Sequence, residues 1–296
     1  MKRKDFTWYL GEFVIYAFLL TIFIITFLPF WNIAVLSFNE AGDTQTGGFI
    51  LWPRAFTASS YAAVFADAEI FNALGVTLLR TFVGVPLTVL VTTLCAYALS
   101  KRTLPGRRGI ALFFIFTMYF SGGLIPSYMI VKELGLIDRF WVFIFPGLIN
   151  VFWMILVRTY MEGLPAEMEE SAKLDGANDF LILYRIILPL CLPVLATITL
   201  FATINHWNSW YDSYIYTYKS SLKTLQAVLV KILNQYQTGD MLSASQQMAN
   251  EAKKLPVSSE TIRMTVTMVS TIPIIMVYPF LQRYFIKGIM VGAVKS

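Results

Sequence analysis

Six stretches of about 20 or more mainly apolar residues, the length of helix that crosses a bilayer, constrain this chain more than any other feature. They run from Phe13 to Leu36, Thr81 to Leu99 (with an outer extension back to about Phe71), Ile110 to Val131, Phe140 to Val157, Ile186 to Tyr211 and Met264 to Gln282. Inside lipid no water is available to the backbone, so each N–H and C=O must find its partner within the segment, and a helix does this. The expectation is an all-α polytopic membrane protein of six transmembrane helices, one transmembrane domain over residues 1–296. Composition agrees, since 57% hydrophobic residues against 14% charged excludes an ordinary soluble domain. Pro29, Pro86, Pro126, Pro146, Pro193 and Pro273 fall in or near the spans. Membrane helices tolerate them where neighbouring helices or hydroxyls satisfy the freed carbonyls.

Lysine and arginine in the short connections set an expected orientation. Lys2, Arg3 and Lys4 precede the first span, Lys101, Arg102, Arg107 and Arg108 crowd the second connection, and Arg283, Lys287 and Lys295 follow the last span. With six spans all of these share one side, which the positive-inside rule makes the cytoplasm, together with both termini and a tail over residues 283–296. The net charge of +5 is read as this topology signal, with no nucleic-acid partner implied. The first apolar run is too long for a cleaved signal core and lacks a small-x-small site after it, so it is read as a span.

A polar insertion over residues 162–188 separates the fourth and fifth spans. Pro165 suits the first turn of a helix, and Glu167, Glu169 and Glu170 suit the positive end of its dipole. That helix is expected to reach about Leu174. Gly176 lets the backbone leave in a left-handed conformation, and Asn178 or Asp179 can cap the next helix. Ser171, Ala172 and Ala177 keep the elbow slim. An amphipathic helix on the membrane surface and a docking device for a partner both fit this pattern.

The order Glu170, Ser171, Ala172, then Gly176, then Ile186, Leu188 and Pro189 resembles the E-A-A loop of the permease subunits of ABC-type importers, with serine in place of the middle alanine. Asp175-Gly176-Ala177 and the C-terminal run Tyr284 to Lys295 resemble the carbohydrate branch, the maltose-type oligosaccharide permeases. The resemblance implies that Glu170, Ser171, Ala172, Asp175, Gly176 and Ala177 form a cytoplasmic coupling helix in a groove of a separate ATPase. It also implies two ATPase subunits, a second homologous permease, an extracytoplasmic solute-binding protein, an oligosaccharide substrate and a place in the bacterial cytoplasmic (inner) membrane. This chain has no G-x-x-x-x-G-K-[ST] phosphate loop, so no cofactor is expected on it, and ATP and Mg belong to the partner.

The outer end of the fifth span, Asn205-His206-Trp207-Asn208-Ser209-Trp210-Tyr211-Asp212, offers both flat aromatic faces and amides, the groups that bind sugars. A solute path through Asn205, His206, Trp207, Asn208 and Trp210 and an interfacial aromatic belt both account for it. Arg80 stands in the outer part of the second span, where snorkelling to the interface is the default and contact with an anionic sugar the alternative. A single histidine cannot build a multi-histidine metal site, and Cys95 and Cys191 read as packed core residues. Two outer segments, about Ser37 to Ile70 and residues 212–262, are long enough to receive a binding protein or to cap the bundle. No catalytic residue is expected. A permease for amino acids or peptides and an intramembrane enzyme remain alternatives, the second disfavoured by spans without acidic residues.

Overall fold

The computed structural model describes residues 6–44, 47–239 and 258–293. Apart from one isolated bridge between Asn39 and Phe56, the regular structure among them is helical. The chain divides into two compact units, residues 1–68 with 231–272 and residues 69–230 with 273–296.

In the first unit, α1 (Phe6–Ser37) runs unbroken through Pro29. Its most apolar window buries nothing against the rest of the chain, as for a helix whose whole circumference is built for an apolar surrounding. At its end Trp31 Nε1 donates to the Leu51 carbonyl and Asn32 Nδ2 to the Ile50 carbonyl, both at 2.9 Å. The first outer segment therefore folds onto α1, adding α2 (Ala41–Thr44) and α3 (Ser59–Ala66). Asn39, fully buried, spends its amide on Asp43, Thr44 and the backbone of Ala55.

In the second unit, α4 (Ala68–Ser100) passes through Pro86 and carries the second expected span with its outer extension. Thr77 and Thr93 return their hydroxyls to carbonyls four residues back, a satisfied arrangement for a polar group among apolar neighbours. The next three expected spans are each broken. The third divides into α5 (Arg107–Tyr119) and α6 (Leu124–Glu133), bent by 118°. Phe120-Ser121-Gly122-Gly123 forms the bend, with Gly123 at φ +84° and Pro126 suited to the first turn that follows. The fourth begins as two short 3₁₀ turns, Phe140–Phe143 and Phe145–Gly147, around Pro146. Asn150 then caps α7 (Val151–Glu162) by accepting from the Trp153 N–H at 3.1 Å, with a bend of 51°.

The fifth starts at α9 (Asp179–Ile182), passes through a π-helical turn, Leu183–Ile187, and α10 (Leu188–Leu190), then bends by 81° into α11 (Leu192–Asn208). Pro189 and Pro193 lack the N–H groups that would carry a regular ladder through this point. Two helices, Trp8–Ser37 and Ala68–Ser100, are long and apolar enough by themselves to cross a membrane, or up to five spans if each bent pair counts as one, among the described residues. The last helix, α14 (Ser259–Ala293), covers the sixth expected stretch and continues without a break past Arg283, where the sequence reading began a tail. The expected cytoplasmic charges Lys2, Arg3, Lys4 and Lys295, and residues 240–257 of the second outer segment, lie outside the described residues.

The core of the second unit gathers where α4, α7 and the broken fifth span meet. Ala96, Met154, Val157, Ile182, Cys191 and Ile198 are each at most 1% exposed there. Ala172 and Ala177 of the polar insertion pack against this cluster, so the elbow is continuous with the core.

Candidate functional site

The elbow is built by local chemistry that its sequence spells out. After Pro165 and Ala166, α8 (Glu167–Leu174) carries three acidic residues in its first turn, where the dipole favours them. Pro165 lies just before the helix and not in its first turn. The end is a Schellman motif: the Ala177 N–H donates to the Ala172 carbonyl at 2.9 Å and the Gly176 N–H to the Lys173 carbonyl at 3.0 Å. This geometry places Gly176 at φ +81°, and Asn178 Oδ1 accepts from the Leu181 N–H at 2.8 Å to start α9. Glu170, Ser171, Asp175 and Gly176 are exposed, while Ala172 and Ala177 turn inward. Leu174 is 90% exposed, Phe180 79% and Tyr184 73%, beside the charged first turn of α8. Exposed apolar side chains of this kind suit contact with either lipid or a partner protein.

Two contacts tie the elbow to the end of α4. Lys101 forms an ion pair with Glu169 and lies 3.9 Å above the Tyr97 ring. The Tyr97 hydroxyl donates to the Asp179 carbonyl at 3.2 Å. Nearby, Arg107 Nε donates to the Leu99 carbonyl at 2.7 Å, a cation at a helix C-terminus, and its guanidinium pairs with Glu162. Lys101 and Arg107, read from sequence as topology signals, are also structural partners of the insertion. The elbow is thus joined to the end of α4 by an ion pair and a hydrogen bond, and to the core by the packed alanines.

A second constellation lies further along α4. Arg80 is 3% exposed and does not snorkel. Its guanidinium grips the Asp212 carboxylate with both terminal nitrogens, donates to the Ser209 carbonyl at 3.2 Å and stands 5.1 Å from the Phe143 ring centroid. Asp212 lies in the first turn of α12 (Tyr211–Tyr216) and also accepts from the Ser209 hydroxyl at 3.1 Å. His206 fills the space between, 3.5 Å from Arg80 Nε through Nδ1 and 3.3 Å from the Thr88 hydroxyl through Nε2. A methyl group on Gly84 would sit 2.6 Å from the imidazole, so only glycine fits that place. Further on, the Leu225 N–H at the start of α13 (Leu225–Gly239) donates to the Thr77 hydroxyl at 2.9 Å. The connection from Ser209 to Leu225 is thus pinned along one side of α4.

These contacts divide the residues expected to form a solute path. Asn205, Asn208 and Trp210 are exposed, Asn208 accepting from Gln226 at 3.4 Å, while His206 and Trp207 are each 5% exposed and belong to the interior. Asp212, Gly84 and Thr88 were missed as a group with Arg80. An arginine between apolar turns requires a counter-charge, and the acid closing the neighbouring span end was the available signal.

Residues 55–291 match the protein family described as binding-protein-dependent transport system inner membrane component. The chain is 38% identical to the polygalacturonan/rhamnogalacturonan transport system permease protein YtcP of Bacillus subtilis over the full length of both. It is 37% identical to the protein LplC of the same organism, over 92% of this chain and 90% of that one. Among solved structures, a chain from a bacterial ABC transporter involved in the import of the acidic polysaccharide alginate superposes with a TM-score of 0.86 and 30% identity, over 96% of this chain and all of that one. The match over most of the chain and the shared fold assign this protein to the inner-membrane permease subunits of binding-protein-dependent ABC transport systems.

Proposed function

We propose that this permease is one of two membrane subunits of an ATP-driven importer of oligosaccharides, with acidic, uronate-containing chains as the substrate class. The observation that carries the coupling half of this reading is the elbow: a Schellman-ended polar helix displays Leu174 and Phe180 to its surroundings and is wired to α4 through Glu169 and Asp179. In this reading the bundle has six spans, and the positive-inside rule then puts the elbow and both termini in the cytoplasm, where two copies of a separate ATPase receive it. Glu170 supplies a charge to the ATPase groove, and Gly176 sets the angle of the bend. A second permease completes the pathway, and a solute-binding protein on the opposite face delivers the sugar.

The substrate half rests on relatives named for polygalacturonan and alginate, both uronic-acid polymers. Arg80 is not the residue that selects the acid, because Asp212 already occupies its charge. Reconstitution of the importer in liposomes with internal ATP tests the substrate class. Uptake of tetragalacturonate at a rate at least roughly tenfold above maltotetraose is expected, a discrimination of about 1.4 kcal/mol. Preference for the neutral tetramer, or for a tetrapeptide, would overturn it.

A further inference from the structure

The outward face of α12 has an unusual makeup. Along residues 211–218 the exposed positions are Tyr211, Tyr214 and Tyr218, at 48%, 61% and 66%, whereas Ser213, Tyr216 and Thr217 are buried. The exposed face of α1, suited to lipid, is mostly Phe, Ile, Leu and Val with Tyr9 and Tyr16 at isolated positions, whereas every exposed position of residues 211–218 is a tyrosine. A face meeting only water would carry charges. A run of tyrosines has flat apolar rings and hydrogen-bonding hydroxyls together, the pairing that sugar rings with apolar C–H faces and hydroxyl edges require.

The rings are also held in place. Trp210 packs edge-to-face on Tyr211 and Tyr214, with centroids 5.9 and 6.0 Å apart. Tyr128, on α6, stacks on Tyr216 at 6.0 Å and shares a 2.9 Å hydrogen bond with the Tyr218 hydroxyl. Behind them the Asp138 carboxylate accepts from the backbone N–H groups of Tyr218 at 2.6 Å and Lys219 at 3.1 Å. The Asp138 N–H in turn donates to the Tyr216 carbonyl at 3.0 Å. The two backbone donors, the Tyr218 bond first, draw the Asp138 carboxyl below its ordinary pKa, as hydrogen bonds to the charged form do. From the other side, Lys223 Nζ donates to the Ser213 and Thr217 carbonyls. A ligand meeting this surface orders little that is not already ordered.

We infer that Tyr211, Tyr214 and Tyr218, with Tyr128 bonded to the last, form a saccharide-contact surface over which the oligosaccharide passes during translocation. The assignment rests on the importer reading above and adds the residues that hold the sugar. Tyr211 and Tyr214 are three residues, ~4.5 Å of helical rise, apart along α12, so successive rings can engage one chain at more than one point. The contact therefore favours longer oligosaccharides over single sugars.

The test uses the complete reconstituted importer with its binding protein, comparing wild type with the Tyr211→Ala/Tyr214→Ala/Tyr218→Ala triple variant and the corresponding triple phenylalanine variant. Uptake of labelled tetragalacturonate and digalacturonate is followed while liganded binding protein is titrated. The alanine variant is expected to lose roughly tenfold in maximal tetramer uptake, less for the dimer, as two or three ring contacts are removed. The half-saturating concentration of binding protein stays within about twofold, and the phenylalanine variant keeps at least about a third of the rate because its rings remain. Co-purification of the ATPase checks assembly. If the triple variant does not assemble, Tyr214→Ala alone carries the test with an expected loss of at least about threefold. A raised half-saturating concentration at unchanged maximal rate would assign the face to the binding protein. Unchanged values for both would make it an interfacial belt, and either outcome overturns the proposal. Wild-type importer that takes up neither uronate chain overturns the substrate reading as well, whereas normal wild-type uptake with an unaffected variant overturns this assignment alone.

Discussion

Asp212→Ala is expected to destabilise the permease by about 3–5 kcal/mol, the usual cost of leaving one member of a buried ion pair without its partner. Arg80 is 3% exposed, and removal of the carboxylate leaves its guanidinium with the Ser209 carbonyl, a distant imidazole nitrogen and the Phe143 face. None of these supplies a countercharge, and Ser209 is itself tied to Asp212 through its hydroxyl. The energy is not an intrinsic contribution of the pair, because desolvating two ions offsets most of their attraction. The double variant Arg80→Met/Asp212→Leu, which removes both charges together, is therefore expected to recover most of the loss. Denaturation of the detergent-solubilised complex measures the stability. Arg80→Gln should depress uptake of acidic and neutral oligosaccharides alike, because the guanidinium is occupied. A loss confined to acidic substrates would show that it acts on the solute.

Gly176→Pro is expected to abolish uptake while the chain still inserts and pairs with its second permease. At φ +81° proline, fixed near −65°, cannot be accommodated, and it lacks the N–H that closes onto the Lys173 carbonyl. Both turn-closing bonds are then lost and α8 leaves the core at another angle. A methyl group on Gly176 would meet nothing within 4 Å, so Gly176→Ala probes the backbone conformation alone. It should cost about 1–2 kcal/mol, the penalty for an L-residue in the left-handed region, and reduce uptake in part. Asparagine, which tolerates that region, should do less harm than alanine. Uptake by each variant at matched membrane abundance is the measurement, and normal transport by the proline variant would remove the elbow angle from the mechanism.

The elbow was legible because its determinants are local. Gly176, Asn178 and the slim alanines act within a few residues, so reading them in order reproduces the observed turn. The broken spans were less so. Hydropathy reports whether residues prefer lipid, and the segments around Gly123, Pro146 and Cys191 stay apolar while their backbones bend by 51° to 118°. Gly122-Gly123 and the pair Pro189 and Pro193 were the visible signs of breakage, and they were outweighed by stretch length.

Arg80 shows a different failure. Its interfacial reading followed from its own segment, whereas its partner stands 132 residues along the chain. Of the neighbours of Asp212 in sequence, His206 lies beside Arg80 in the interior, Trp207 is also buried, and Trp210 is exposed. The tyrosines of α12 escaped notice because tyrosine near a span end is also what an interface predicts, and only the alternation of buried and exposed positions sets them apart.

In the function proposed above, the elbow is the seat of a separate ATPase. Affinity purification of the tagged chain from its native membrane, followed by mass spectrometry of what accompanies it, tests this most directly when wild type is compared with Glu170→Lys and Leu174→Asp. An ATPase and a second permease are expected with the wild type, and retention of the permease with loss of the ATPase from both elbow variants. Recovery of the ATPase in undiminished amount with Leu174→Asp, whose wild-type side chain is 90% exposed and free to be covered, would contradict it.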